Sequence, residues 1–190
     1  MTLPDSPLTA AAEAVLEMLQ APEGRLEVAI GAARILMLDL GHALEAEWLS
    51  KELEGYFSST KQIRLGDILD PGPGGDELRK RIAQYRGQIG HFTVLGPDGE
   101  RELFPFPWFF PDPVRDLIRA NLDQTNVSFH LPILRPFVTM ELVGELMDLL
   151  QLTEVRVAFP PGCFRSILAG LRQEVRSVVV RHGRKIPTCA

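Results

Sequence analysis

Apolar residues recur at three- and four-residue spacing through most of the first 57 positions, the pattern of helices that pack on one side. Leu8 to Leu19 reads as a short helix with Val15, Leu16 and Leu19 together. Ala21-Pro-Glu-Gly24 ends it, because proline cannot continue a helix and glycine relaxes the backbone. Arg25 to Leu38 aligns Leu26, Ile30, Ala33 and Met37, and Ala43 to Phe57 aligns Leu44, Trp48, Leu49, Leu53 and Tyr56. A tight turn at Leu40-Gly41-His42 makes these two an antiparallel αα-hairpin.

The period changes further on. Ser58 to Gly75 reads as a loop, and Asp76 to Gln84 adds a helical turn or two. Tyr85 to Leu95 has β character, and Pro97-Asp98-Gly99 is a turn that returns the chain through Arg101–Phe106 as an antiparallel partner. Pro105 and Pro107 lack ladder donors, so that strand is expected to break at Pro105. The run Phe104 to Pro111, with four Phe and one Trp, is read as a loop over one end of the core, ahead of a ligand cleft or partner groove. Asp112-Pro113 starts a helix to about Leu122, since Asp caps and Pro suits the first helical position. A strand at Asn126–Leu131, a helix at Thr139–Leu150, a strand at Val155–Phe159 and a long helix from Cys163 to about Arg181 complete the chain. The expected fold is α+β: an N-terminal helical hairpin, a central β-hairpin with a few short strands, and a long C-terminal helix. Residues 1–24 form an N-terminal helix and linker, 25–182 the α+β domain and 183–190 a tail.

Composition narrows the class. The 190 residues are 45 % hydrophobic and 24 % charged, the globular average. The longest apolar run, Ala29–Leu40, is broken by Arg34 and Asp39, so no membrane span is expected. The N-terminus lacks a basic segment and carries acids in its apolar stretch, so it is not read as a secretory signal and the expected location is cytoplasmic. Cys163 and Cys189 suggest no disulfide scaffold. The net charge of −5 is uneven: Val155 to Ala190 carries +6, which leaves −11 on the other 154 residues.

No stretch is a self-sufficient catalytic motif. The glycines at 72–75 lack the lysine and hydroxyl of a phosphate-binding loop. Ser58, Ser59 and Thr60 lack a nucleophile-elbow context, and Cys163, beside Phe164, reads as core. His42, His91, His130 and His182 lie on four elements, and none is read as having a second ligand at helical spacing. No metal and no cofactor are expected. Glu45, Glu47 and Glu54 read as a solvated face, whereas Glu52 lies between Trp48 and Tyr56, and a buried carboxylate needs a partner. Arg86 is that expected partner, in a partly buried ion pair tying the helical front to the first strand. On the last helix Arg165, Arg172 and Arg176 share one face, with no aromatics between them for base stacking. That face is expected to meet a protein surface, either the chain's own acidic front or a partner, rather than nucleic acid.

Two stretches together resemble the AbiTii domain family. One is Ala33-Arg-Ile-Leu followed by Leu44 to Tyr56, with its W…EL.GY pattern, and then Gln84-Tyr85-Arg86-Gly87. The other is Val157 to Arg176, a short strand followed by a helix with an IL…VR pattern. The resemblance covers roughly residues 25–182. It marks Trp48, Glu52, Tyr56, Tyr85 and Arg86 as the candidate binding residues of the motif. The family is named for a component of a two-part abortive-infection system against bacteriophage, so the resemblance implies a bacterial antiviral role. The expected function is that of a sensor, adaptor or regulatory module whose partner is another protein of the same system or a second copy of itself. The competing readings are an enzyme, a nuclease or nucleotide-processing effector using Glu52, Tyr56 and Arg86, and a nucleic-acid binder using the basic C-terminal helix.

Overall fold

The computed structural model describes residues 7–21, 25–56, 75–96, 99–110, 112–122, 129–130 and 154–183. Six helices lie among them: α1 (Pro7–Gln20), α2 (Leu26–Asp39), α3 (Ala43–Glu54), α4 (Gly75–Arg86), α5 (Val114–Leu122) and α6 (Cys163–Gly183). Four strands, β1 (Gly87–Gly96), β2 (Gly99–Phe109), β3 (Phe129–His130) and β4 (Glu154–Ala158), form a sheet in the order β2-β1-β4-β3, antiparallel throughout. Helix outweighs strand among the described residues, and α+β holds only in the coarse sense that both are present.

Among the side chains whose burial is described, the core is mainly helical. Leu26, Ala29, Ile30, Ala33, Leu36 and Met37 of α2 are buried against Ala46, Trp48 and Leu49 of α3. The apolar stripe of α6 (Phe164, Ile167, Leu168, Leu171, Val175, Val178, Val179) lies against α1, α2, α4 and α5. The α1 residues Ala12, Val15 and Leu19 belong to the same cluster. The sheet's described contribution comes from Phe109 at the end of β2 and from Phe110 and Phe159 just beyond strand ends, with Phe110 packed on Phe159 and Phe164.

Several boundaries differ from the sequence expectation. The third helix stops at Glu54 rather than Phe57, because Gly55 takes φ 91°, a conformation that favours glycine. Tyr56 is thereby folded back toward Glu52 from beyond the helix end. The helix expected to end at Gln84 runs on through Tyr85 and Arg86, where the sequence pattern predicts a strand. Gly87 makes the abrupt change possible, since a Cβ there would lie 2.5 Å from the Ala83 carbonyl oxygen. The second strand does not break at Pro105. It continues to Phe109, with Pro105 opposite His91 and Pro107 opposite Ile89. Because β2 is an edge strand among the described residues, with β1 as its one described neighbour, prolines two residues apart can both turn their missing donors away from the ladder. Gly96 pairs with Gly99, closing the hairpin across the expected turn, whose Pro97 and Asp98 lie outside the described residues. Of the strand expected at Asn126–Leu131, the described residues Phe129 and His130 are strand, and the helix expected at Thr139–Leu150 lies outside the described residues.

Candidate functional site

The five motif residues converge in one buried cluster. The helical period of α3 sets Trp48 and Glu52 one turn apart on its inner face, and the last turn of α4 delivers Tyr85 and Arg86. Glu52 and Arg86 are both fully buried, and their side chains form an ion pair with Nη2 to Oε2 at 2.5 Å. The single Nε–H of Arg86 is shared between Oε2 at 3.2 Å and Oε1 at 3.4 Å. Tyr85 OH donates to Oε1 at 2.6 Å, Trp48 Nε1 donates to the same oxygen at 3.1 Å, and Tyr56 OH donates to it as well. Trp48 Nε1 also reaches Tyr85 OH at 2.9 Å. The far side of the guanidinium is used too. Arg86 Nη1 donates to the carbonyls of Phe110 at 2.6 Å and Asp112 at 2.7 Å, and its carbon stands 4.9 Å from the centre of the Tyr56 ring.

This network joins α3, α4 and the segment between β2 and α5. It was expected to be partly buried and to lie between a helix and a strand. It is instead sealed and helix-to-helix, and Arg86 grips the exit of β2 through its backbone. Burial raises the pKa of both tyrosines well above the usual value, and the Glu52 charge raises them further, so both remain neutral donors. Burial alone would lower Arg86, but Glu52 outweighs it and holds the guanidinium above its ordinary value. A general acid or base works best with a pKa near the working pH and within reach of substrate. Here the tyrosines and the arginine are shifted away from neutrality, and all five side chains are turned inward. Tyr85 is held at one more point: α6 crosses it at Gly170, where a Cβ would lie 2.4 Å from the Tyr85 Cβ.

The arginine face of α6 is only partly a surface. Arg165 and Arg176 are exposed, whereas Arg172 is half-buried, with Nε and Nη2 shielded and unpaired among the described residues. None of the three pairs with Glu45, Glu47, Glu52 or Glu54 among the described residues, so the expected docking on the chain's own acidic front is not found there. The pairing runs the other way round: Arg81 of α4 binds Glu174, the acid of α6. Glu47 and Glu54 face solvent as expected, but Glu45 does not. It meets His182, and the His182 ring lies on His42 with centroids 3.7 Å apart. The histidines expected to be scattered thus include two that the fold brings together. Glu45, three residues after His42, was the available signal.

No helix among the described residues is long and apolar enough to cross a membrane. No family model, curated protein or solved structure matches the chain.

Proposed function

We propose that the chain acts by binding rather than by catalysis, as a sensor, adaptor or regulatory module, and that its setting is the bacterial antiviral defence implied by the AbiTii resemblance. The observation that carries the reading is the position of the motif. Trp48, Glu52, Tyr56, Tyr85 and Arg86 satisfy one another inside the core, so the residues an enzyme reading relies on hold the fold together. Binding then falls to the outer surface. Val28, Ile35 and Leu38 are exposed on one side of α2, beside the small residues Gly31 and Ala32, and make an apolar strip suited to a protein partner.

The test is phage challenge of a bacterial host expressing the chain with its genomic neighbours. Ile35→Glu with Leu38→Glu changes only exposed positions, so stability should move by no more than about 0.5 kcal/mol per site. Loss of protection together with loss of a co-purifying partner is expected. Unchanged protection would overturn the strip as the binding surface. Nucleic-acid cleavage by purified protein would restore the enzyme reading. Anisotropy titration with DNA and RNA at low salt addresses the exposed Arg165 and Arg176. Tight binding with a log–log salt slope of about 0.9 per phosphate would favour the nucleic-acid reading instead.

A further inference from the structure

His42, Glu45 and His182 converge where the start of α3 meets the end of α6, and the convergence has a local cause. Helix α2 ends in a left-handed glycine turn: Gly41 takes φ 76°, its amide donates to the Leu38 carbonyl, and the His42 amide donates to Met37 at 2.8 Å. This places His42 immediately before α3 and Glu45 one turn later, while His182 comes from the last turn of α6. One ligand atom from each of the three residues lies within 4.8 Å of the others. His182 Nε2 stands 3.3 Å from Glu45 Oε1.

We propose that these three residues form a binding site for a divalent transition-metal ion of the Zn2+ class, clamping the N-terminus of α3 to the C-terminus of α6. The independent sign is His182 itself. It is 8 % exposed, and both ring nitrogens are shielded from solvent without a well-directed hydrogen bond. Buried polar atoms are nearly always partnered, so an imidazole in this state, aimed at a carboxylate and a second imidazole, lacks a ligand that a metal supplies. The spacing suits one. Tetrahedral coordination at about 2.0–2.1 Å from each donor sets the donors about 3.3 Å apart, the separation already seen between His182 and Glu45. The remaining donor atoms lie within 4.8 Å of one another, and the His42 and His182 rings, with centroids 3.7 Å apart, must turn for both to face one ion. Two imidazoles and one carboxylate select zinc-class ions over calcium or magnesium, which favour oxygen ligands. Three protein donors leave a fourth position for water or a group from a partner. His42 and Glu45 are half-buried, so the site is reached from their side.

The experiment is calorimetric titration of chelator-treated full-length protein with Zn2+, and in parallel with Co2+ followed by its visible spectrum. One ion per chain is expected, with the strong absorption of four-coordinate cobalt. His42→Ala and Glu45→Gln lie at half-exposed positions, and each is expected to weaken binding about tenfold or more, to abolish that absorption, and to remove any thermal stabilisation by zinc. His182→Ala empties a buried position, so the two milder variants carry the decision. Absence of binding by the unmodified protein overturns the proposal. So does binding that both variants retain, which would place the ion at other ligands such as His91, His130 or Cys189.

Discussion

Replacing Glu52 by Gln tests the central network with almost no change of shape. The substitution removes the charge that compensates Arg86, and both partners are fully buried. It also leaves one carbonyl oxygen where two carboxylate oxygens accept from Arg86, Tyr85, Tyr56 and Trp48. Breaking a buried pair from one side costs about 3–5 kcal/mol, because the surviving charge is stranded away from water. Each tyrosine hydroxyl left without its acceptor adds to this, though neighbouring losses do not sum. Native stability is about 5–15 kcal/mol in total, so the variant should lose about a fifth of it or more. For a chain of this length the melting temperature should fall by about 6–20 °C. Urea denaturation followed by far-UV circular dichroism reads the effect directly. A double variant, Glu52→Leu with Arg86→Met, removes both charges and should recover part of the loss, since apolar pairs of similar volume can replace buried ion pairs. If Glu52→Gln unfolds within about 1 kcal/mol of the unmodified protein at unchanged m-value, the network does not hold the fold and the structural reading of the motif fails.

Two further outcomes follow from the same region. Tyr56 and Tyr85 are the chain's two tyrosines, so tyrosinate absorbance reports on this site alone. Both folded pKa values lie above the unfolded value of about 10, so their contribution to stability is complete below that pH and is lost as pH rises through the folded values. The folded protein should show almost no tyrosinate at pH 10, and ionisation should coincide with alkaline unfolding; half-ionisation near pH 10 in protein still folded by circular dichroism would contradict the burial argument. Gly170→Ala forces a methyl to within 2.4 Å of the Tyr85 Cβ, and α4 and α6 must separate, at about 1–3 kcal/mol as for overpacked cores; an unchanged urea midpoint would show that the crossing is looser than the structure has it.

What the sequence alone determined was local. The three- and four-residue spacing of Leu26, Ile30, Ala33 and Met37, and of Phe164, Leu168, Leu171 and Val175, marks helices because a buried stripe needs that period whatever it packs against. Glu52 was legible as a buried acid because it shares its face with Trp48, and Arg86 as its partner because a core carboxylate demands a cation. Tertiary structure decided the rest. Tyr85 and Arg86 are helical because their side chains must reach Glu52 from α4, a requirement that β propensity at that point does not register. Pro105 and Pro107 sit within a strand because β2 is at the sheet edge, and edge position is a property of the whole topology. Arg172 is half-buried although it shares its face with the exposed Arg165 and Arg176, because what covers a helix face depends on the neighbour at each level. His42 and His182 meet only because the glycine turn after α2 and the far end of α6 arrive at the same place; no local pattern encodes that encounter, since ligands from distant parts of a chain are brought together by packing alone.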